Sequence, residues 1–285
     1  MLFQRAAVIG IGLIGGSFAL AARQRGLVGH VTGVARTRTT LDAALRLGAA
    51  DDATSDAVAA VAGADLVYLA TPVRAIPPLL QTLAPALTDG CLVTDAGSTK
   101  REVVRAAAEL PGGVHFIGGH PLAGSEQSGV AAARADLFEG ASYFITPGPE
   151  ADEAAVRRLS RLVEGIGACP VVIEPELHDH LLAATSHLPH VVAAAVCAAL
   201  ADTPNLSRFA GSGVRDTTRI AAGPADVWRD ILLSNADEVR AALARLMQSL
   251  AEYDVALAQA DGDRLVELLE LARGVRGRMD RPCDG

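Results

Sequence analysis

Lysine, cysteine and long apolar runs are all scarce in this chain of 285 residues. Lys100 is the only lysine, and acidic residues outnumber basic ones by 33 to 25, for a formal charge of −8. No strongly basic face is visible, which argues against nucleic-acid binding. The four cysteines, Cys91, Cys169, Cys197 and Cys283, lie far apart without metal-type spacing. They read as reduced thiols of a cytoplasmic protein, and no metal site is expected. No stretch reaches the roughly 18 uncharged apolar residues of a membrane span. The nearest, Ala6 to Ala22, is broken by Gly10, Gly12, Gly15 and Gly16 and reads as strand, turn and helix. No basic segment with a small-residue cleavage site precedes it, so neither a signal peptide nor membrane association is expected.

What is present is enough for a folded, two-part protein. Half the residues are hydrophobic and the mean hydropathy is +0.29, unlike a disordered chain. The first half alternates β-rich runs with helical spacing. Strands are expected at Ala6–Gly10, Val31–Ala35, Asp65–Ala70, Cys91–Asp95, His115–Gly118, Ser142–Thr146 and Pro170–Ile173. Helices are expected at Ser17–Arg25, Thr39–Leu47 closed by Gly48, Ile76–Leu87 and Lys100–Glu109. Such alternation implies a mostly parallel sheet. After Glu176 the strand signal fades, and helical stretches follow at Leu177–Ala201, Trp228–Ala258 and Asp263–Arg278. The division is expected near Pro175, giving an α/β domain over residues 1–174 and an all-α domain over 175–285. So apolar a helical domain should bury a partner helix, as in a homodimer.

Gly10-Ile11-Gly12-Leu13-Ile14-Gly15 has the pattern G-x-G-x-x-G between a strand and a helix. There Gly10 permits a tight turn, Gly12 lets the backbone approach a pyrophosphate, and Gly15 lets helix and strand pack closely. The free N–H groups of the helix start, with Leu13 and Ile14, would face the phosphates. This is the context of a dinucleotide site in a Rossmann-type, doubly wound sheet. An acid near the end of the second strand would bind the ribose hydroxyl of NAD, but Val34-Ala35-Arg36-Thr37-Arg38 stands there instead. Two arginines and no carboxylate favour NADP over NAD. Thr71 and Pro72 follow the third expected strand, and Asp95-Ala96-Gly97-Ser98 the fourth, so both should line the same crevice. Helix capping is the other role open to Asp95 and Ser98.

His120 lies in a segment rich in small residues, Gly118 to Glu126, expected as a loop after a strand. An imidazole there suits proton transfer near neutral pH. A second polar group, His178, Asp179, His180, Ser186, His187 and His190, opens the helical half; its spacing fits no zinc pattern. Downstream, an arginine within Arg215–Arg219 could receive a carboxylate or pair with Asp216.

Together, GLIGGS (Gly12–Ser17), ATP (Ala70–Pro72), DAGSTK (Asp95–Lys100), GGHPLAGSE (Gly118–Glu126), SHLPH (Ser186–His190) and RDTTRIA with WRDI (Arg215–Ile231) resemble the prephenate/arogenate dehydrogenase family. The resemblance spans nearly the whole chain. It implies a Rossmann-type domain plus a helical dimerisation domain, and oxidative decarboxylation of a cyclohexadienol in tyrosine biosynthesis. By the same resemblance His120 would take the C4 hydroxyl proton as hydride leaves C4. Loss of CO₂ would then restore an aromatic ring. Ser98 would hold the hydroxyl and the nicotinamide, Arg219 a substrate carboxylate, and His190 would line the pocket. Ser125, Glu126 and Trp228 are further pocket candidates. The chain departs from NAD-specific members at Ala35-Arg36. The rival expectations are a Rossmann-plus-helical dehydrogenase of 3-hydroxy acids or pyrroline-type imines, and a cofactor-sensing protein without turnover.

Overall fold

The computed structural model describes residues 1–124 and 127–279. Ser125, Glu126 and Cys283, named above, lie outside the described residues. The chain divides into two compact units, Met1–Ala236 and Asp237–Gly285.

The first unit is built on eight strands: β1 (Phe3–Ile9), β2 (Val28–Val34), β3 (Asp52–Thr54), β4 (Leu66–Leu69), β5 (Leu92–Asp95), β6 (His115–Pro121), β7 (Ser142–Pro147) and β8 (Cys169–Val172). They form one sheet in the order β3-β2-β1-β4-β5-β6-β7-β8. Neighbours run parallel except β6 and β7, which are antiparallel. Central strands are covered on both faces, so β4 is apolar and buried at every position. The order reverses between β1 and β4, which opens a crevice at the carboxyl ends of those strands.

Six helices connect the strands: α1 (Leu13–Gln24), α2 (Arg38–Leu47), α3 (Ala57–Val61), α4 (Ile76–Leu83), α5 (Arg101–Ala107) and α6 (Glu153–Gly165). In α1, Phe18 stacks on Tyr68 of β4 with ring centroids 3.8 Å apart. Removing Phe18 to Ala from this buried contact would cost about 3–5 kcal/mol. Thr37 caps α2, accepting the Thr40 N–H, and Gly48 ends it in the left-handed conformation at φ 73°.

The sequence reading names no element at β3, α3 or α6. A three-residue strand at the sheet edge leaves little pattern. The third element was legible: Asp152 caps α6, and Ala155, Leu159, Leu162 and Val163 bury one helical face.

After β8 the unit turns helical, with α7 (Pro175–Leu182), a π turn at Ala183–His187, α8 (Leu188–Ala199), α9 (Leu206–Phe209), α10 (Ser212–Thr218), a 3₁₀ turn at Arg219–Ala222 and α11 (Ala225–Ser234). The Pro175–Ala199 rod is long and apolar enough to cross a membrane by length and composition. Yet its buried positions include His178, Asp179, His187 and His190, which serve the site below. One helix is expected from Trp228 to Ala258; instead the chain breaks at Asn235 before α12 (Ala236–Ala258). Asn235 is fully buried, and its amide bonds to other elements instead of facing solvent.

The second unit holds the rest of α12 and α13 (Gly262–Met279). Arg264 bonds Glu252 and Glu267 within it. Met247, Leu250, Leu257, Leu269 and Leu271 are exposed on these two helices.

Candidate active site

The crevice is shaped first by glycine. Gly10 adopts φ +91°, and a Cβ there would lie 2.5 Å from the Ala70 carbonyl oxygen. A Cβ on Gly15 would come within 2.5 Å of the Gly10 carbonyl, so α1 packs against β1 only without one. Gly12 is different: nothing lies within 4 Å of its Cβ position. Open space therefore faces the start of α1, where no side chain caps the free N–H groups. Across the crevice the buried Thr71 hydroxyl oxygen has no partner among the described residues. An open cradle, uncapped N–H groups and an orphaned hydroxyl fit a dinucleotide phosphate. Leu13 and Ile14 open α1, Pro72 follows Thr71, and Ser98 lies half-buried after β5. At the end of β2 Arg36 is exposed, while Arg38 pairs with Asp42 at 2.9 Å.

His120 is not in a loop. Strand β6 runs on to Pro121, so His120 is fixed by sheet pairing with Phe144 of β7. The preceding glycines are required by packing. A Cβ on Gly118 would lie 2.2 Å from the Thr146 hydroxyl, and one on Gly119 2.5 Å from the Asp95 carbonyl.

A line of hydrogen bonds runs back from the His120 ring. Its Nδ1 meets His178 Nε2 at 2.9 Å, and His178 Nδ1 meets Asp179 Oδ1 at 2.8 Å. Asp179 also accepts the backbone N–H groups of Lys100 and Arg101, at 2.8 and 3.0 Å, and so caps α5 from another helix. Burial alone would raise the Asp179 pKa, but these donors and His178 hold it below the ordinary value. The carboxylate is thus ionised and can only accept. His178 must then donate from Nδ1 and accept at Nε2. His120 in turn donates from Nδ1, which leaves the lone pair on its Nε2 as a base. Burial, with His178, Lys100 and His187 nearby, drives the His120 pKa well below the usual histidine value.

Two further arrangements brace this line. Buried Lys100 is ion-paired with Asp95 and donates to the Gly119 carbonyl at 2.7 Å. Asp95 accepts the Gly119 N–H at 3.0 Å and the Gly97 N–H at 2.8 Å. The loop carrying Ser98 and the strand carrying His120 are therefore tied to one carboxylate. Asn235 donates to the Asp179 carbonyl at 2.7 Å, lies 3.3 Å from His187 Nδ1 and accepts from Arg101 at 3.0 Å. Burial lowers the His187 pKa to about 4, so this ring is neutral near pH 7.

His190 and Trp228 form a second cluster. Their rings stack with centroids 3.5 Å apart and 10° from parallel. Gly223 permits the stack, since a Cβ there would lie 2.5 Å from Trp228 Nε1. His190 Nδ1 is buried without a partner among the described residues. Arg219, in the 3₁₀ turn packed against α8, is exposed, and no ion pair of it is found among the described residues, with Asp216 or any other acid. On the other side α11 lies against the turn Val73–Ala75 that follows Thr71 and Pro72.

The sequence alone gives His178 and Asp179 no role, places Asp95 at the crevice without its Lys100 partner, and leaves Asn235 unmarked. A signal existed for the first pair. Pro175, His178, Asp179 and Leu182 are all buried at i, i+3, i+4, i+7 spacing, so two polar groups sit on an apolar stripe. Asn235 has no such local signature.

The chain is similar to known proteins over most of its length. Residues 18–172 match the nucleotide-binding domain of prephenate dehydrogenase, and residues 174–271 its dimerization domain. The chain is 39% identical to a prephenate dehydrogenase of Bacillus subtilis over 94% of its own length and 74% of that protein's. It is 35% identical to a cyclohexadienyl dehydrogenase of Zymomonas mobilis, over 93% of this chain and 92% of the other. Its structure superposes, at a TM-score of 0.91 and 33% identity, on a prephenate dehydrogenase from Aquifex aeolicus in complex with hydroxyphenyl propionate and NAD+, covering 97% of this chain and 98% of that one.

Proposed function

This chain belongs to the prephenate dehydrogenase family, and from that premise we propose that it oxidatively decarboxylates prephenate, or its amino counterpart arogenate, toward tyrosine. It is a dehydrogenase with a nicotinamide cofactor. The observation that carries the substrate reading is the line Asp179–His178–His120, which ends in an unprotonated ring nitrogen. A bound nicotinamide supplies the hydride acceptor. His120 Nε2 takes the C4 hydroxyl proton, and Ser98 donates to the same oxygen. His178 and Asp179 keep the His120 tautomer fixed through each turnover. Arg219 receives a substrate carboxylate, His190 on Trp228 closes the side-chain end, and Ser125 and Glu126 are further pocket candidates. Gly10, Gly12, Leu13, Ile14, Gly15, Thr71 and Pro72 hold the dinucleotide.

NADP is favoured over NAD. Support comes from Arg36, exposed at the end of β2, and from the absence of an acid at Ala35-Arg36. Arg38 is paired with Asp42, but an exposed pair of this kind is worth little and can open. The Aquifex aeolicus relative was captured with NAD+, so the two cofactors must be compared directly. A homodimer is supported by the dimerization-domain match and by the exposed apolar side chains of α12 and α13. We place the boundary between the nucleotide-binding and helical domains at 174/175, within the first compact unit, and the enzyme in the cytoplasm. Incubation with prephenate and with arogenate, each with NADP or NAD, read at 340 nm, tests the proposal. No absorbance rise with either acid would overturn it; oxidation of a 3-hydroxy acid instead would favour the rival reading.

A further inference from the structure

The rod from Pro175 to Ala199 is helical throughout, but one π turn interrupts it. At that turn the Leu188 N–H reaches back five residues, to the Ala183 carbonyl. A π turn amounts to one extra residue wedged into an α-helix, and such turns gather at functional sites. Its cause lies in the sequence. Pro189 sits in the first turn of α8; it has no N–H, and in a regular helix its ring collides with the carbonyl four residues back. That carbonyl belongs to Thr185, inside the π turn, whose hydroxyl bonds back to the Leu181 carbonyl at 2.8 Å.

The extra residue decides which side chains share a face. In an uninterrupted α-helix Asp179 and His187 would point about 80° apart, and His178 and His190 about 120° apart. One inserted residue subtracts about 100°, which leaves each pair within about 20° of a common face. Burial agrees: His178, Asp179, His187 and His190 are all buried, and Asn235 meets both the Asp179 backbone carbonyl and the His187 ring.

We propose that Pro189 is a positioning residue: it forces the π turn, and the turn seats His187 beside Asp179 and His190 against Trp228. The proposal rests on the reading of this site as a cyclohexadienyl pocket. Pro189 touches no reacting atom. It sets the angle between the half of the rod that supports His120 and the half that meets the substrate side chain.

The test compares wild type, Pro189→Ala, and Pro189→Ala with Ala184 deleted. Ala184 is exposed, so its removal disturbs little packing. Trp228 is the only tryptophan, so its emission reports the His190 stack without substrate. In Pro189→Ala the rod relaxes toward regular α-helix and His190 swings off Trp228. Emission should brighten, and KM for the cyclohexadienyl acid should rise about tenfold, the equivalent of one good hydrogen bond. The kcat should change far less, because His178 and Asp179 precede the turn. Deleting Ala184 removes the extra residue and returns His187 and His190 to their face, so emission and KM should both recover. Wild-type emission or wild-type KM in Pro189→Ala overturns the proposal. A deletion variant that misfolds or stays impaired overturns the register argument and the proposal with it. If wild type oxidises neither acid, the functional reading fails, while the emission comparison still judges the π turn.

Discussion

His120 and His178 are joined ring to ring by a 2.9 Å hydrogen bond, donated from His120 Nδ1. That direction follows from Asp179, which is ionised and can only accept. The free lone pair of His120 is therefore on Nε2. His120→Asn keeps a polar group of similar size but removes the base. Its kcat should fall by about 10²–10⁴, with nicotinamide binding retained in a fluorescence titration. Near-normal turnover would hand the base role to His190.

His178→Gln tests the line itself. The glutamine amide can still reach His120 but does not fix its tautomer through an ionised carboxylate. An expected outcome is a kcat loss of about tenfold or more with KM nearly unchanged, since the base is impaired and not the pocket. A fall confined to KM would make His178 a packing residue.

The pH profile of kcat should show one acid limb, lying below the ordinary histidine value because burial disfavours the charged His120 ring. Activity rises with pH as that ring loses its proton and is then level through neutrality. His120→Asn should abolish the limb. A limb above pH 6.5, about the unperturbed value, would contradict the assignment.

Stability should depend on acid in two windows. His187 is held neutral, with a pKa of about 4 against an unfolded value of about 6.5. The unfolded chain binds the extra proton between these values, so stability falls as pH drops from about 6.5 to 4, by about 3 kcal/mol at most. Asp179 has a lowered pKa, and its contribution is lost only at lower pH, as its folded form protonates. Melting temperature measured against pH, with His187→Gln shrinking an upper window that buried His120 and His178 share, checks the order. The order is wrong if that variant melts with the wild-type pH dependence.

Cofactor choice and substrate anchoring separate at two arginines. Arg36→Ala should narrow the kcat/KM advantage of NADP over NAD, and a wild-type enzyme that strongly prefers NAD would refute the NADP reading. Arg219→Ala should mainly raise KM for the cyclohexadienyl acid and leave nicotinamide affinity unchanged. Equal weakening of both would make Arg219 structural.

The nucleotide half was legible because its determinants are local. Gly10, Gly12 and Gly15 lie within six residues, and β4 and β5 are short runs rich in Leu and Val with Gly or Pro close by. The helical half was legible as helix but not as site. His178 works only because β6 brings His120 to it from 58 residues away, and Asn235 only because three elements converge on its amide. The helix break at Asn235 and the π turn at Ala183–His187 were lost for a related reason. Both sit inside strongly helical sequence, where periodicity continues through an interruption. Pro189 was the one local clue. Placing His120 in a loop failed because a run of small residues after His115–Gly118 has the composition of a loop, whereas neighbouring atoms demand Gly118 and Gly119 within a strand.

The sole lysine lies fully buried against Asp95. The folded surface therefore offers amine-directed reagents no lysine side chain. Acylating probes, amine cross-linkers and lysine-coupled dyes should modify the N-terminal amine alone while the native state persists. Lys100 becomes reactive only when the core opens, so its labelling rate counts openings of the active-site floor, one molecule at a time.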